Sequence, residues 1–217
     1  EWFVKFRFPG FENTKFIDSP LGKIPEGWEG KLIKDFGEVI TGKTPSKKDP
    51  SNFGNDVPFI KTPDMHSGIF VTDIGESLSV KGADSQKKKY LPPGSIMVSC
   101  IGSAGVVSIN SAEAQTNQQI NSVKLDDEKH REYLYFALID LEETIKNYGS
   151  TGATMTNLSK GKFEALNAIS PSKHIDEFHE TTSPMFDEIL CLSRKNDTLK
   201  VQRDLLMPKL ISGSIRL

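Results

Sequence analysis

Apolar positions recur along this chain in three rhythms. Residues 31–41 carry Leu32, Phe36, Val39 and Ile40 at i, i+4, i+7 and i+8, a helical stripe. Gly42 then stands where a C-cap glycine belongs, and Pro45 and Pro50 discourage further helix. The spacing predicts a helix that ends at Gly42. Strand-like alternation follows. Residues 57–61, 69–74, 96–99, 105–109 and 119–125 are short apolar runs separated by turn residues such as LPPGS, and each is predicted as a strand. From Glu128 to Tyr148 the pattern turns helical again, with Tyr133, Phe136, Leu141 and Ile145 among its apolar positions. Residues 149–159, GSTGATMTNLS, are predicted as loop. One helical turn over 159–164 and a strand over 165–169 follow.

After Pro171 the rhythm changes once more. Ile175, Phe178, Thr182, Met185, Ile189, Leu192, Asn196, Leu199, Arg203, Leu206 and Leu210 fall at alternating three- and four-residue steps. A heptad seam sustained for about five repeats predicts a long helix with a partner helix of its own. Ile189, Leu192, Asn196, Leu199 and Leu206 are its expected dimerisation residues. Pro184 predicts either a kink or a break there, with Ser183 capping a new helix. The organisation is thus an N-terminal arm over 1–30, a globular α/β (α+β) domain over 31–170, and a long coiled-coil-forming helix with its tail over 171–217. Trp2, Phe3, Phe6 and Phe8 are too apolar to be left in water, so the arm is expected to dock.

The chain has 217 residues and 36% hydrophobic content, enough for one ordinary core. No apolar run is long enough to span a membrane, and the N-terminal residues lack the features of a signal peptide. The two cysteines, Cys100 and Cys191, lie far apart and predict no disulfide framework, which suits a cytoplasmic protein. Net charge is −2, but it is unevenly spread. Residues 81–124 carry five Lys/Arg against two Asp/Glu, whereas 126–146 carry three against seven. Lysines also gather over 31–61, at Lys43, Lys47, Lys48 and Lys61.

GEVITGKT, residues 37–44, matches the phosphate-loop pattern G-x-x-x-x-G-K-[ST]. That loop needs a strand before it and a helix starting at its Lys-Thr end. A helix ending at Gly42 has the reverse polarity, so nucleotide hydrolysis is not expected. No nucleophile elbow, dinucleotide fingerprint or histidine–cysteine metal spacing occurs, and no catalytic or metal site is expected. What remains are loops of Lys, Gly, Ser, Thr and amides: GKTPSKK (42–48), SCIGS (99–103), TNQQ (116–119) and STGATMT (150–156). Lysine supplies phosphate contacts, and hydroxyls and amides can read base edges. Gly, Ser, Thr and Asn also dominate ordinary turns, and Asn117 and Gln118 serve equally well as amides tying loops together.

Three stretches together carry a family likeness. IPEGWEGKLIKDFGEVITGKTPSK (24–47), GSTGATMTNLSKGKFEALNAISP (149–171) and RDLLMPKLISGSIRL (203–217) resemble the DNA-specificity subunit of type I restriction-modification systems. The resemblance implies a target recognition domain followed by a conserved helix, without catalysis of its own. Subunits of this kind usually carry two such pairs, which read the halves of a split DNA site, with the helices as spacer. They dock methyltransferase subunits that take a methyl group from S-adenosylmethionine to adenine N6, and restriction subunits join the full enzyme. No cofactor is expected in this chain; S-adenosylmethionine belongs to the partner. Double-stranded DNA contacts are expected at Lys43, Thr44, Lys47, Lys48 and Lys61, and at Ser150, Thr151 and Thr154. One domain–helix pair is present, and EWFVKFRFPG resembles the stretch that follows a first conserved helix. The chain is then either half of a tandem subunit or a half-subunit that forms a homodimer. A protein-only coiled-coil adaptor is the reading of another class.

Overall fold

The computed structural model describes residues 1–148, 157–171 and 174–215. The strands, in chain order up to the first helix, are β1 (Phe16–Ser19), β2 (Gly22–Pro25), β3 (Glu29–Leu32), β4 (Gly37–Thr41), β5 (Phe53–Gly54), β6 (Val57–Ile60), β7 (Phe70–Val71) and β8 (Ser77–Leu78). Helix α1 (Val80–Asp84) precedes β9 (Ile96–Ser99), β10 (Val107–Asn110), β11 (Gln115–Thr116) and β12 (Ile120–Leu125). Helices α2 (Arg131–Asp140), α3 (Glu142–Tyr148) and α4 (Lys160–Glu164), strand β13 (Asn167–Ser170) and helix α5 (Ile175–Ile211) complete the chain. The result is a sheet-rich α+β domain followed by a long helix.

A five-stranded sheet in the order β4-β12-β9-β10-β7 is central, and all its pairings but β10–β7 are antiparallel. Both of its faces are buried. Val39, Ile96, Val98, Ile109 and Val123 point to one core, shared with Tyr133, Leu134 and Leu138 of α2. Ile40, Met97, Val71 and Ile120 point to another, shared with Ile60 and Met65. A four-stranded sheet, β11-β6-β8-β5, supplies Ile60 to that second core.

The helix expected over 31–41 is instead β3, a short 3₁₀ turn at Ile33–Asp35, and β4. A strand covered on both faces loses its alternation, and a short unbroken apolar run then mimics a helical stripe. Gly42 consequently caps no helix. Strand β13 pairs with β3 from Asn167↔Leu32 to Ser170↔Glu29, which joins the two ends of the domain. The arm docks as its aromatics require. Phe8, Ile24 and Trp28 form a small core, and Phe3 lies 4.6 Å from Phe178 and 4.9 Å from Tyr133 between ring centroids. The arm also holds regular structure that its sequence does not announce, the antiparallel β1–β2 hairpin.

Helix α5 runs unbroken through Pro184. Its first turns bury Ile175, Phe178 and Phe186 in the domain, and Ile189 leans on the same core. The heptad register therefore fails near the domain: Met185 is 57% exposed and its neighbour Phe186 is 3% exposed. Farther along, Leu192, Leu199 and Leu206 are 49%, 59% and 47% exposed. One seam in the sequence is thus two surfaces, a proximal one buried by the chain's own domain and a distal one uncovered.

Candidate nucleic-acid interface

Strand β4 delivers the chain into the loop that begins at Gly42. Here Gly42 N–H donates to Ile120 O at 3.0 Å and Lys43 N–H to Thr116 O at 2.9 Å. A Cβ on Gly42 would meet Asn117 O at 2.1 Å and Thr116 O at 2.4 Å, so glycine is needed for a close backbone approach. A strand does precede GKT, contrary to expectation, yet the phosphate-loop reading fails on other grounds. The Gly42 and Lys43 N–H groups are committed, and a 3₁₀ turn at Pro50–Asn52 is the next helical element.

The loop forms one wall of a cleft of about 330 Å³, lined by Thr44, Pro45, Lys47, Phe59, Lys61, Asn117 and Gln118. Three of the sequence-predicted contacts, Thr44, Lys47 and Lys61, are thereby brought together, and Lys43 and Lys48 are exposed on the same loop. Lys43, Lys47 and Lys48 have no ion-pair partner among the described residues. Lys61 does: its ammonium is engaged by Glu76 of the strand-to-strand connection before β8. Its charge is shared with that carboxylate. Ser150, Thr151 and Thr154 lie outside the described residues. Asn157 and Leu158, at the end of their segment, are tied to the loop after β9 by a bridge to Ile101 and by Leu158 N–H donating to Cys100 O at 2.9 Å.

Hydrogen bonds hold this surface from beneath. Buried Gln86 donates to Lys43 O and to Gln115 Oε1, both at 2.7 Å, and Gln115 donates to Ala83 O at 2.9 Å. Asn52 Nδ2 donates to Ser46 O at 3.0 Å. Asp49 accepts from Ser51 and from Lys81 Nζ at 2.9 Å, and these bonds hold its carboxyl down at about 2. The expected readout loop SCIGS is inward at its start and exposed at its end: Ser99 and Cys100 are buried, the Ser99 hydroxyl is spent on Ser103 O, and Gly102 and Ser103 are exposed. In the turn after β11, Asn117 and Gln119 bond each other, with Asn117 Nδ2 donating to Gln119 Oε1 at 3.0 Å and Gln119 N–H to Asn117 Oδ1 at 3.1 Å. Gln118 is the exposed amide of that turn, and its Oε1 accepts from Thr44 Oγ1 at 2.7 Å. Sequence reasoning could place Gln118 in a polar turn; its pairing with a threonine 74 positions away has no local signal.

A two-faced sheet domain that presents a lysine-edged cleft and extends a long helix from its last strand has the build of a recognition module. Residues 25–179 match the family described as Type I restriction modification DNA specificity domain, and the chain belongs to that family. Among its relatives, the HindI type I restriction enzyme specificity subunit of Haemophilus influenzae is 45% identical over 195 residues, covering 88% of this chain and 42% of that protein. The MjaIX specificity subunit of Methanocaldococcus jannaschii is 28% identical over 200 residues, covering 90% and 45% respectively. The chain therefore spans under half the length of either. The same fold occurs in the HsdS subunit of Thermoanaerobacter tengcongensis (TM-score 0.58, 17% identity, 92% of this chain and 48% of that one). It occurs also in the type I S subunit of M. genitalium (TM-score 0.58, 17% identity, 86% and 46%).

Proposed function

We propose that this chain is a DNA-reading unit of a type I restriction-modification enzyme. Its domain takes one half of a bipartite site, and it performs no chemistry itself. The observation that carries the reading is the family match over 25–179, which spans the lysine-edged cleft and the start of α5. Lys43, Lys47 and Lys48 supply phosphate contacts, and the amide and hydroxyl groups of the cleft face base edges. Methyltransferase subunits dock on the chain and bring S-adenosylmethionine to adenine N6, and restriction subunits complete the enzyme. Helix α5, 37 residues and so about 55 Å long, is the spacer. Its uncovered stripe of Leu192, Asn196, Leu199 and Leu206 packs on the equivalent helix of a second copy or of a second domain–helix pair.

Two measurements test this. Replacing Lys47 and Lys48 with alanine lowers affinity for all duplexes alike and flattens the log–log salt dependence by about two units. Unchanged affinity and slope would turn that surface away from DNA. The second is the adenine-methylation map of cells that express the chain with its methyltransferase subunits and no other methyltransferase. An interrupted palindrome methylated on both strands means a homodimer with a two-fold site. Co-purification without methylation means that the second domain is required. Absence of both methylation and co-purification overturns the proposal.

A further inference from the structure

We propose that Gln118 reads an adenine edge and that Thr44 is the positioning residue that sets its amide. This rests on the DNA-recognition reading above and assigns one of its contacts. Three amides follow one another in the turn after β11, and their fates differ. Asn117 is buried and, with Gln119, closes a pair of hydrogen bonds inside the turn. Gln118 is exposed and lines the cleft beside Thr44 of the lysine-bearing loop. The main chain beneath it is fixed, because Asn117 N–H donates to Ile60 O at 3.2 Å and Gly42 leaves no room for the turn to shift.

Thr44 Oγ1 donates to Gln118 Oε1 at 2.7 Å. That bond uses the threonine proton and leaves the hydroxyl its acceptor lone pairs. With Thr44 donating, Oε1 is the end of the amide held against the loop, and Nε2 points away from that bond. A carbonyl oxygen has two lone pairs, and one remains after Thr44 is served. The two Nε2 hydrogens have no partner among the described residues. Gln118 therefore presents an acceptor and a donor side by side. In the major groove adenine offers the complement, an N6–H₂ donor beside the N7 acceptor, and a glutamine amide pairs with it bidentately. Lys47, lining the same cleft, is placed to hold the flanking phosphate.

The experiment mixes the full chain, purified with its methyltransferase subunits, with a pool of randomised duplexes and sequences those retained. The wild type enriches a site with adenine at one position. Gln118→Ala lowers the preference there by roughly ten- to a hundred-fold and keeps the other positions. Gln118→Glu turns an amide into an acceptor-only group, which suits the cytosine N4 donor. It is expected to move the preferred base from adenine to cytosine at that position alone, a change that misfolding cannot produce. Thr44→Val weakens the same position, and Thr44→Ser, which keeps the hydroxyl, restores it. If Gln118→Glu retains the wild-type site unchanged, or loses every position equally, Gln118 is not a base reader. Equal behaviour of Thr44→Val and Thr44→Ser overturns the positioning role. A wild-type complex that enriches no sequence removes the DNA-recognition reading itself, and this assignment with it.

Discussion

His179 Nδ1 of α5 lies 2.7 Å from Glu132 Oε2 of α2. The other carboxylate oxygen accepts from Arg131 Nε at 2.8 Å and lies 2.7 Å from Nη2. Glu132 is fully buried, and through His179 this one carboxylate ties the long helix to the domain. Removing one partner of a buried pair typically costs about 3–5 kcal/mol, because the other is left without compensation. Glu132→Ala is expected to lower the melting temperature by roughly 10 °C for a chain of this size. His179→Ala, at a part-exposed end of the link, lowers it less. Calorimetry of the two variants checks the order.

Gly42→Ala tests the reason for the glycine in GKT. The added methyl would meet backbone oxygens of Thr116 and Asn117 below any real contact distance. Backbone must move, at a cost of about 1–3 kcal/mol for overpacking. The turn that carries Gln118 moves with it, so DNA binding and thermal stability fall together. If both stay intact, the close approach at Gly42 does not require glycine.

Asp49 gives the loop a pH limit. Its carboxyl is lowered from 3.8 to about 2, first by the Ser51 hydroxyl and then by Lys81. A depressed carboxylate stabilises the fold above its unfolded value and loses that contribution as pH falls through the folded one. The window is therefore between about 3.8 and about 2, and neutral pH is unaffected. Carbon-detected NMR titration of Asp49 is expected to show its midpoint near the lower figure. Ser51→Ala raises that midpoint more than Lys81→Ala does.

The two thiols separate cleanly. Cys100 is buried, and burial pushes its thiol up to about 11, whereas Cys191 is exposed on α5. Only a thiolate alkylates readily. Iodoacetamide at pH 8 is expected to modify Cys191 in the folded protein and Cys100 only after denaturant is added, as read by peptide mass spectrometry.

Some elements were legible and some were not, for physical reasons. Strands β9, β10 and β12 lie between turn sequences, so each matches its expectation within a few residues, whereas the single helix expected over 128–148 is a 3₁₀ turn at Glu128–His130 followed by α2 and α3, broken at Leu141. Strand β4 was misread because Val39 and Ile40 face different cores. Strands β5, β7, β8 and β11 are two residues each, too short to have a period. Met185 was placed on the seam in place of Phe186 because a heptad count ignores what the domain itself buries. At the cleft, lysines were visible as composition, but the Lys61–Glu76 pair and the Thr44–Gln118 bond join residues that are distant in sequence. Local pattern carries no trace of them.

The distal turns of α5 have a consequence for how this protein reports on its own assembly. Leu199, Val201, Leu205, Leu206, Met207 and Leu210 are all exposed, and helical segments of about 12–15 residues are marginal in water without tertiary support. Those turns propagate from the anchored part of α5, and a covering surface is expected to stabilise them further. Dilution is expected to reduce the ellipticity at 222 nm, and partner addition to recover it. A far end that answers to dilution in this way would report on the encounter as well as on the chain.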